Sequence, residues 1–266
     1  MIRTASVDAG GRTIRYLEAG NGWPVVLLHA FPLSADMWRP QLERPPDGWR
    51  LLAPDLRGFG PAATGRAHSL GDMAMDVAGW MDALHIDAAT IGGGSMGGYV
   101  TFALFRIAPE RFHALILANT RAAADTEEGR AARDRMSALV RSDGPPAVAD
   151  QMIPKLLGET TRASRPELAP LVRELIEANT ADGLDGAIQS MKGRPDSMDL
   201  LPRINRPTLV IAGEEDAVIP TSEAEEMDRL LPRSQLVRLP RAGHLASLET
   251  PAEFSRALAT FLHANI

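Results

Sequence analysis

The sequence predicts an α/β fold, built on a doubly wound, mostly parallel β-sheet with one helical insertion. Three observations point to it. Short apolar runs that end in turn residues recur along the chain, helix-period segments separate them, and the alternation stops between residue 121 and about residue 199. With 266 residues, 45% of them hydrophobic and 23% charged, the chain can bury a sizeable core without metals or disulfides.

Residues 12–18 (RTIRYLE) alternate after a Gly-Gly turn and predict an antiparallel strand. The runs at 24–29, 50–54, 88–92, 114–118, 208–212 and 235–239 are nearly continuous in apolar residues, as parallel strands buried on both faces should be. Residues 69–84 carry apolar positions at 70, 73, 74, 77, 80, 81 and 84, and Ser69 with Asp72 resembles a capping box. Thr250-Pro251-Ala252-Glu253 opens a final helix expected to run to about Leu262, with Pro at the first helical position. Between them, 126–141, 146–157, 167–178 and 183–191 read as helices broken by Pro and Gly. Residues 1–120 and 200–266 are therefore expected to form the core, and residues 121–199 a helical lid over a ligand crevice. The plainer alternative is a run of packing helices.

Residues 90–100, TIGGGSMGGYV, fit two motifs at once. Gly92-x-Gly94-x-x-Gly97 has the spacing of a dinucleotide-binding loop. That reading requires an acid at the end of the next strand to bind a ribose, but ALILANT ends in Asn119-Thr120, and no Walker lysine follows any glycine loop. Gly93-x-Ser95-x-Gly97 has the spacing of a nucleophile elbow. A sharp turn from strand to helix lifts the serine oxygen clear of the sheet, and glycines on either side avoid Cβ clashes. Gly98 leaves room for the helix to pack closely, and Gly92 for close packing at the strand end.

A serine hydroxyl needs a base, and the base an orienting acid. In this chain order both should follow the serine at later strand ends. TLVIAGEED places Asp216 just past a strand, and LPRAGH places His244 after the last one. Catalytic roles are assigned accordingly to Ser95, Asp216 and His244, with Glu214 and Glu215 as rival acids that the spacing disfavours. The backbone N–H groups of Met96 and Phe31 are the candidate oxyanion hole. His29 is expected to hold the His29-Ala30-Phe31-Pro32 turn by hydrogen bonds and not to act as the base. His68, His85, His113 and His263 lack partner motifs and metal-ligand spacing, so no metal and no cofactor is expected.

Composition excludes further chemistries. The absence of Cys removes disulfides, Cys-ligated zinc and a thiol nucleophile, and fits the cytoplasm. A net charge of -6 argues against a nucleic-acid partner. No apolar run is long enough to span a membrane, and MIRTASVDAGGRTIRY has no signal-peptide core. The sequence is silent on oligomeric state.

Taken together, His29-Ala30-Phe31-Pro32, Asp55-x-Arg57-Gly58-x-Gly60, Gly93-x-Ser95-x-Gly97, Gly213-x-x-Asp216 and Gly243-His244 resemble the α/β-hydrolase fold over essentially the whole chain. The chain departs at Ala30, where Gly is commoner, and at Gly94, where a larger residue usually precedes the serine. Gly94 is expected to widen the pocket floor, and Asp55–Gly60 to be loop scaffolding. The resemblance implies a serine-nucleophile branch, because epoxide hydrolases and haloalkane dehalogenases of this fold carry Asp at the elbow. Carbon–carbon bond hydrolases often carry Trp after the catalytic His, where this chain has Leu245.

No Phe, Tyr or Trp occurs between Phe112 and Phe254, which predicts a flexible aliphatic pocket. Its expected lining is drawn from Met136, Leu139, Val140, Met152, Ile153, Leu156, Leu157 and Met191, with His29, Gly94 and Leu245 near the nucleophile. The segments LANTRAAADTEEGRAAR and AGHLASLETP resemble carboxylesterases and 3-oxoadipate enol-lactonases. The expected substrate is thus a small carboxylic ester or lactone. The alternatives are a proline iminopeptidase using lid acids such as Glu127, Glu128 or Glu159, a cofactor-free perhydrolase, and a ligand-binding protein without turnover.

Overall fold

A computed structural model describes residues 1–61, 65–67 and 69–265; His68 lies outside the described residues. Eight strands form one sheet: β1 (Arg3–Asp8), β2 (Thr13–Gly20), β3 (Trp23–Leu28), β4 (Trp49–Pro54), β5 (Ala89–Gly94), β6 (Phe112–Ala118), β7 (Thr208–Gly213) and β8 (Ser234–Leu239). Their spatial order is β1-β2-β4-β3-β5-β6-β7-β8. The first two pairings are antiparallel and the remainder parallel. Among the described residues ten α-helices accompany them: α1 (Arg39–Glu43), α2 (Leu70–Ala83), α3 (Met96–Ile107), α4 (Glu127–Leu156), α5 (Glu159–Ser164), α6 (Leu168–Glu177), α7 (Ala181–Lys192), α8 (Thr221–Leu230), α9 (Ala246–Glu249) and α10 (Pro251–Asn265).

The expected strands form, with two differences. β1 has no apolar alternation strong enough to announce it; it exists because its backbone pairs with β2 across the Gly10-Gly11 turn. β8 is half-exposed rather than buried on both faces, because it closes one edge of the sheet. The Ser69 hydroxyl caps α2 by accepting from the Asp72 N–H at 3.0 Å. The expected break after residue 141 is a kink inside α4. There Gly144 has φ 73° and Pro145 and Pro146 remove two backbone donors.

The helices α4 to α7 are inserted between β6 and β7. One buried side chain, Asn179, ties this lid to both neighbouring loops of the core. Its carbonyl accepts from the Gly60 N–H at 2.8 Å, and its amide donates to the Pro32 carbonyl at 2.9 Å. Beside it α7 lies so close that a Cβ on Gly183 would sit 1.9 Å from the Gly58 carbonyl. Among the described residues, no helix is long and apolar enough to cross a membrane.

Replacing Asn179 with Ala leaves the buried Gly60 N–H without its acceptor. The Asn179→Ala variant is expected to lose roughly 1–3 kcal/mol of stability, read as a lower urea midpoint with unchanged slope.

Candidate active site

β5 lies between β3 and β6, and the site begins where it ends. Ser95 sits between β5 and α3 with φ 50° and ψ -111°, a left-handed conformation that costs a side-chain-bearing residue of order 1–3 kcal/mol. The surroundings fix it there. Its N–H donates to the Ala118 carbonyl at 2.9 Å, and its own carbonyl accepts from the Thr120 hydroxyl at 2.8 Å and the Gly98 N–H at 2.9 Å. The first turn of α3 rides against β3: a Cβ on Gly97 would lie 2.2 Å from the Leu28 carbonyl. Only glycine is compatible with that approach. Met96, buried, is the first residue of α3, so its N–H has no acceptor within the helix.

Asp216 follows β7 and His244 follows β8, both at the carboxyl ends of strands parallel to β5, where Ser95 also sits. The Asp216 carboxylate accepts from His244 Nδ1 at 2.8 Å through Oδ2 and lies 3.1 Å from it through Oδ1, and each side chain is 1% exposed. Oδ1 also accepts the N–H groups of Val218 and Ile219 at 2.8 and 2.9 Å. Burial opposes the charge on Asp216, but His244, the Ile219 N–H and the Asn119 amide outweigh it and hold the carboxyl below its ordinary range. Glu215 is turned away toward the lid, where its carboxylate accepts from the Thr160 N–H at 2.8 Å and its hydroxyl at 2.5 Å.

The loop carrying His244 hangs from the lid. The Leu156 carbonyl accepts the N–H of His244 at 3.1 Å and of Leu245 at 3.3 Å. Buried Glu249 accepts from the Leu245 N–H at 2.9 Å and the Gly158 N–H at 2.8 Å.

His29 is fully buried just past β3. Its Nε2 accepts from the Leu56 N–H at 3.0 Å, so Nδ1 carries the proton and donates to the Ala30 carbonyl at 3.1 Å. Burial pushes its pKa down to about 4, partly offset by the Ala30 carbonyl and Asp36. The ring thus clamps the turn of Phe31 to the 55–60 loop as a neutral group. In that loop Asp55 accepts from the Ala35 N–H at 2.9 Å and from Arg15 at 2.8 Å.

A cavity of about 210 Å³ brings together Ser95, His244 and Phe31 with Met136, Met152 and Met191 of the lid. The other expected lining residues lie elsewhere. Leu156 is fully buried and Leu245 nearly so, within the core; Leu139 is half-buried and is not part of the wall. His29 is sealed behind the turn. Gly94 faces Met37 and Trp38, at 3.6 and 3.8 Å from where its Cβ would stand, so its missing side chain does not widen this cavity. Nor is the wall purely aliphatic, since Tyr99, Arg121, Asp125 and Arg133 contribute to it. Beyond Tyr99 a second, more apolar cavity of about 330 Å³ contains neither Ser95 nor His244. His85, His113 and His263 are exposed on the surface.

Sequence reasoning missed Asn119. At φ 46° at the end of β6, it donates through Nδ2 to Asp216 Oδ2 at 2.9 Å and to the Gly243 carbonyl at 3.1 Å. A Lys or Arg near the pocket mouth was open to expectation, but the sequence did not single out the charged wall formed by Arg121, Asp125 and Arg133. The signal available was position: all four follow the carboxyl end of a parallel strand, where ligand sites of open α/β sheets gather.

The sequence profile of the alpha/beta hydrolase fold matches residues 24–251. A malate-bound thermophilic esterase from Thermogutta terrifontis superposes with a TM-score of 0.92 at 38% identity, over 98% of each chain. The enol-lactonase from Burkholderia xenovorans LB400 superposes with a TM-score of 0.88 at 25% identity, over 98% of this chain and 100% of the other. The 3-oxoadipate enol-lactonase 1 of Acinetobacter baylyi is 26% identical over 91% of this chain and 89% of its own length.

Two measurements check this geometry. A histidine with folded pKa about 4 and unfolded pKa about 6.5 binds fewer protons folded than unfolded between those values, so stability rises with pH across that window. Its contribution is complete above about pH 6.5 and about 3 kcal/mol of it is lost as pH falls to 4. The difference in urea stability between wild type and His29→Gln should therefore vary with pH between 4 and 6.5 and level off above. Asn119→Ala removes one donor from Asp216 and is expected to lower the rate of a reaction that uses His244 by roughly ten-fold, seen in kcat more than in KM.

Proposed function

The chain belongs to the α/β-hydrolase fold family, and from that premise we propose that it is a serine hydrolase of small carboxylic esters or lactones. One observation carries the reading. Ser95, raised on its strained turn, and His244 line one cavity, with His244 Nδ1 committed to the buried carboxylate of Asp216. That leaves Nε2 as the ring nitrogen to serve the serine.

In the proposed reaction Ser95 Oγ attacks the ester carbonyl while His244 Nε2 takes its proton. Asp216, kept ionised by its hydrogen bonds, fixes the His244 tautomer and stabilises the imidazolium. The tetrahedral oxyanion is received by the N–H groups of Met96 and Phe31, each contributing about 3–4 kcal/mol if comparable to measured donors. The imidazolium protonates the departing alcohol oxygen. A water then attacks the acyl-enzyme, giving its proton to His244, and collapse returns the serine and releases the acid.

The similarity to an esterase and to enol-lactonases supports the same substrate class. The peptidase alternative has less support. Glu127, Glu128 and Glu159 do not line the cavity, and Asp125, its one acid among the described residues, is already bound to Arg121, Arg133 and Arg194.

Wild type should hydrolyse p-nitrophenyl acetate and butyrate, and Ser95→Ala should reduce kcat by roughly 10³-fold or more. A fluorophosphonate probe should add to Ser95 in wild type, seen by peptide mass, and not to the variant. Hydrolysis that survives unchanged in Ser95→Ala would sink the proposal.

A further inference from the structure

Part of the wall of the cavity that holds the candidate nucleophile is charged, and its charges do not balance. Three guanidiniums, of Arg121, Arg133 and Arg194, converge on the carboxylate of Asp125, at 2.5, 3.2 and 2.8 Å. Among the described residues, the other acid paired with these arginines is Glu223, 3.9 Å from Arg121. Asp125 is itself sealed, its side chain 1% exposed. Burial opposes its charge, but Arg133 and Arg194 outweigh that and hold its carboxyl below the ordinary range. A fixed anion thus gathers three cations and leaves a positive surplus beside the cavity.

The three arginines have different duties. Arg194 is buried and committed to the fold through its terminal nitrogens: they donate to the carbonyls of Met191 and Ala123, and the guanidinium lies 4.1 Å over the Tyr99 ring. Arg121 and Arg133 instead form part of the cavity wall with Ser95 and His244. Arg133 gives only Nε to Asp125, and among the described residues its two terminal amino groups have no protein acceptor. Arg121 gives one terminal nitrogen to Asp125. Anchoring the lid would need no donors left over in the cavity. A planar fork with free N–H groups, held rigid by a buried carboxylate, is the arrangement that binds a second carboxylate.

We propose that Arg133, with Arg121, recognises a carboxylate carried by the substrate, so that the substrate is a carboxylate-bearing ester or lactone such as a monoester of a short dicarboxylic acid. This rests on the serine-hydrolase reading and narrows it. The three methionines of the same cavity would pack the methylenes between the carboxylate and the ester carbonyl. The binding part of the preference should weaken with salt, because both arginines are partly open to solvent.

The test compares matched substrates that differ in the charge alone: monoethyl succinate against ethyl valerate, and monoethyl adipate against ethyl heptanoate. Wild type should prefer the carboxylated member of at least one pair by ten-fold or more in kcat/KM. Arg133→Gln should shrink that ratio by ten-fold or more, chiefly through KM, and Arg133→Lys should restore part of it. Arg135→Gln makes the same charge change at an exposed position on the same helix and should leave the ratio where it was. A wild-type ratio near one, or a ratio unmoved in Arg133→Gln, overturns the proposal. If no ester is turned over, the hydrolase reading fails instead. Calorimetric titration with adipate then still decides the cationic wall: saturable binding that is lost in Arg133→Gln supports it, and absence of binding overturns it.

Discussion

The site depends on one backbone constraint, the left-handed turn at Ser95. A residue with a side chain does not take φ 50° unless its neighbours leave no alternative. Here they do so from two strands. β6 and the residues after it hold the serine's N–H and carbonyl through Ala118 and Thr120, and β3 presses Leu28 against the start of α3. The same close approach sets the Met96 N–H at a helix start, where it has no intrahelical partner. Strain and open donor arise together from the packing of one short helix on one strand.

The second dependence runs through the lid. The helices between β6 and β7 do more than roof a crevice, because their backbone holds core loops in place. Leu156 receives two consecutive N–H groups of the loop bearing His244, and Glu249 joins that loop to Gly158. Glu215 caps the start of α5 and is thereby removed from competition with Asp216. Asn179 fastens the lid to the Phe31-Pro32 turn and to the 55–60 loop. Lid position and the geometry of the His244 loop are therefore mechanically coupled, and motion of α4 would be felt at the imidazole.

Electrostatics is settled differently behind the cavity and at its wall. Behind it, a neutral histidine, His29, and an ionised Asp216 are fixed by burial and hydrogen bonding. At the wall, a buried aspartate gathers more cations than it neutralises. Apolar surface of the same cavity comes from methionines whose flexible chains accommodate more than one shape.

Sequence by itself determined the sheet, the insertion and the three residues Ser95, Asp216 and His244 as candidates. These are legible because local rules govern them: strand periodicity, glycines at a turn that admits no Cβ, and polar residues just past apolar strands. β1 escaped because its only reason to be a strand is its partner β2. The pocket lining was read only in part. Met136, Met152 and Met191 reach the cavity, while Leu156 and Leu245 pack into the core, since helical spacing says which residues share a face but not which face meets the crevice. Tertiary structure alone decided the role of Asn119, and the convergence of Arg121, Arg133 and Arg194 on Asp125. In the sequence these are four charges scattered over residues 121–194 and one polar residue after a strand. Only folding α4 and the segment after α7 onto the end of β6 brings the three arginines within reach of Asp125.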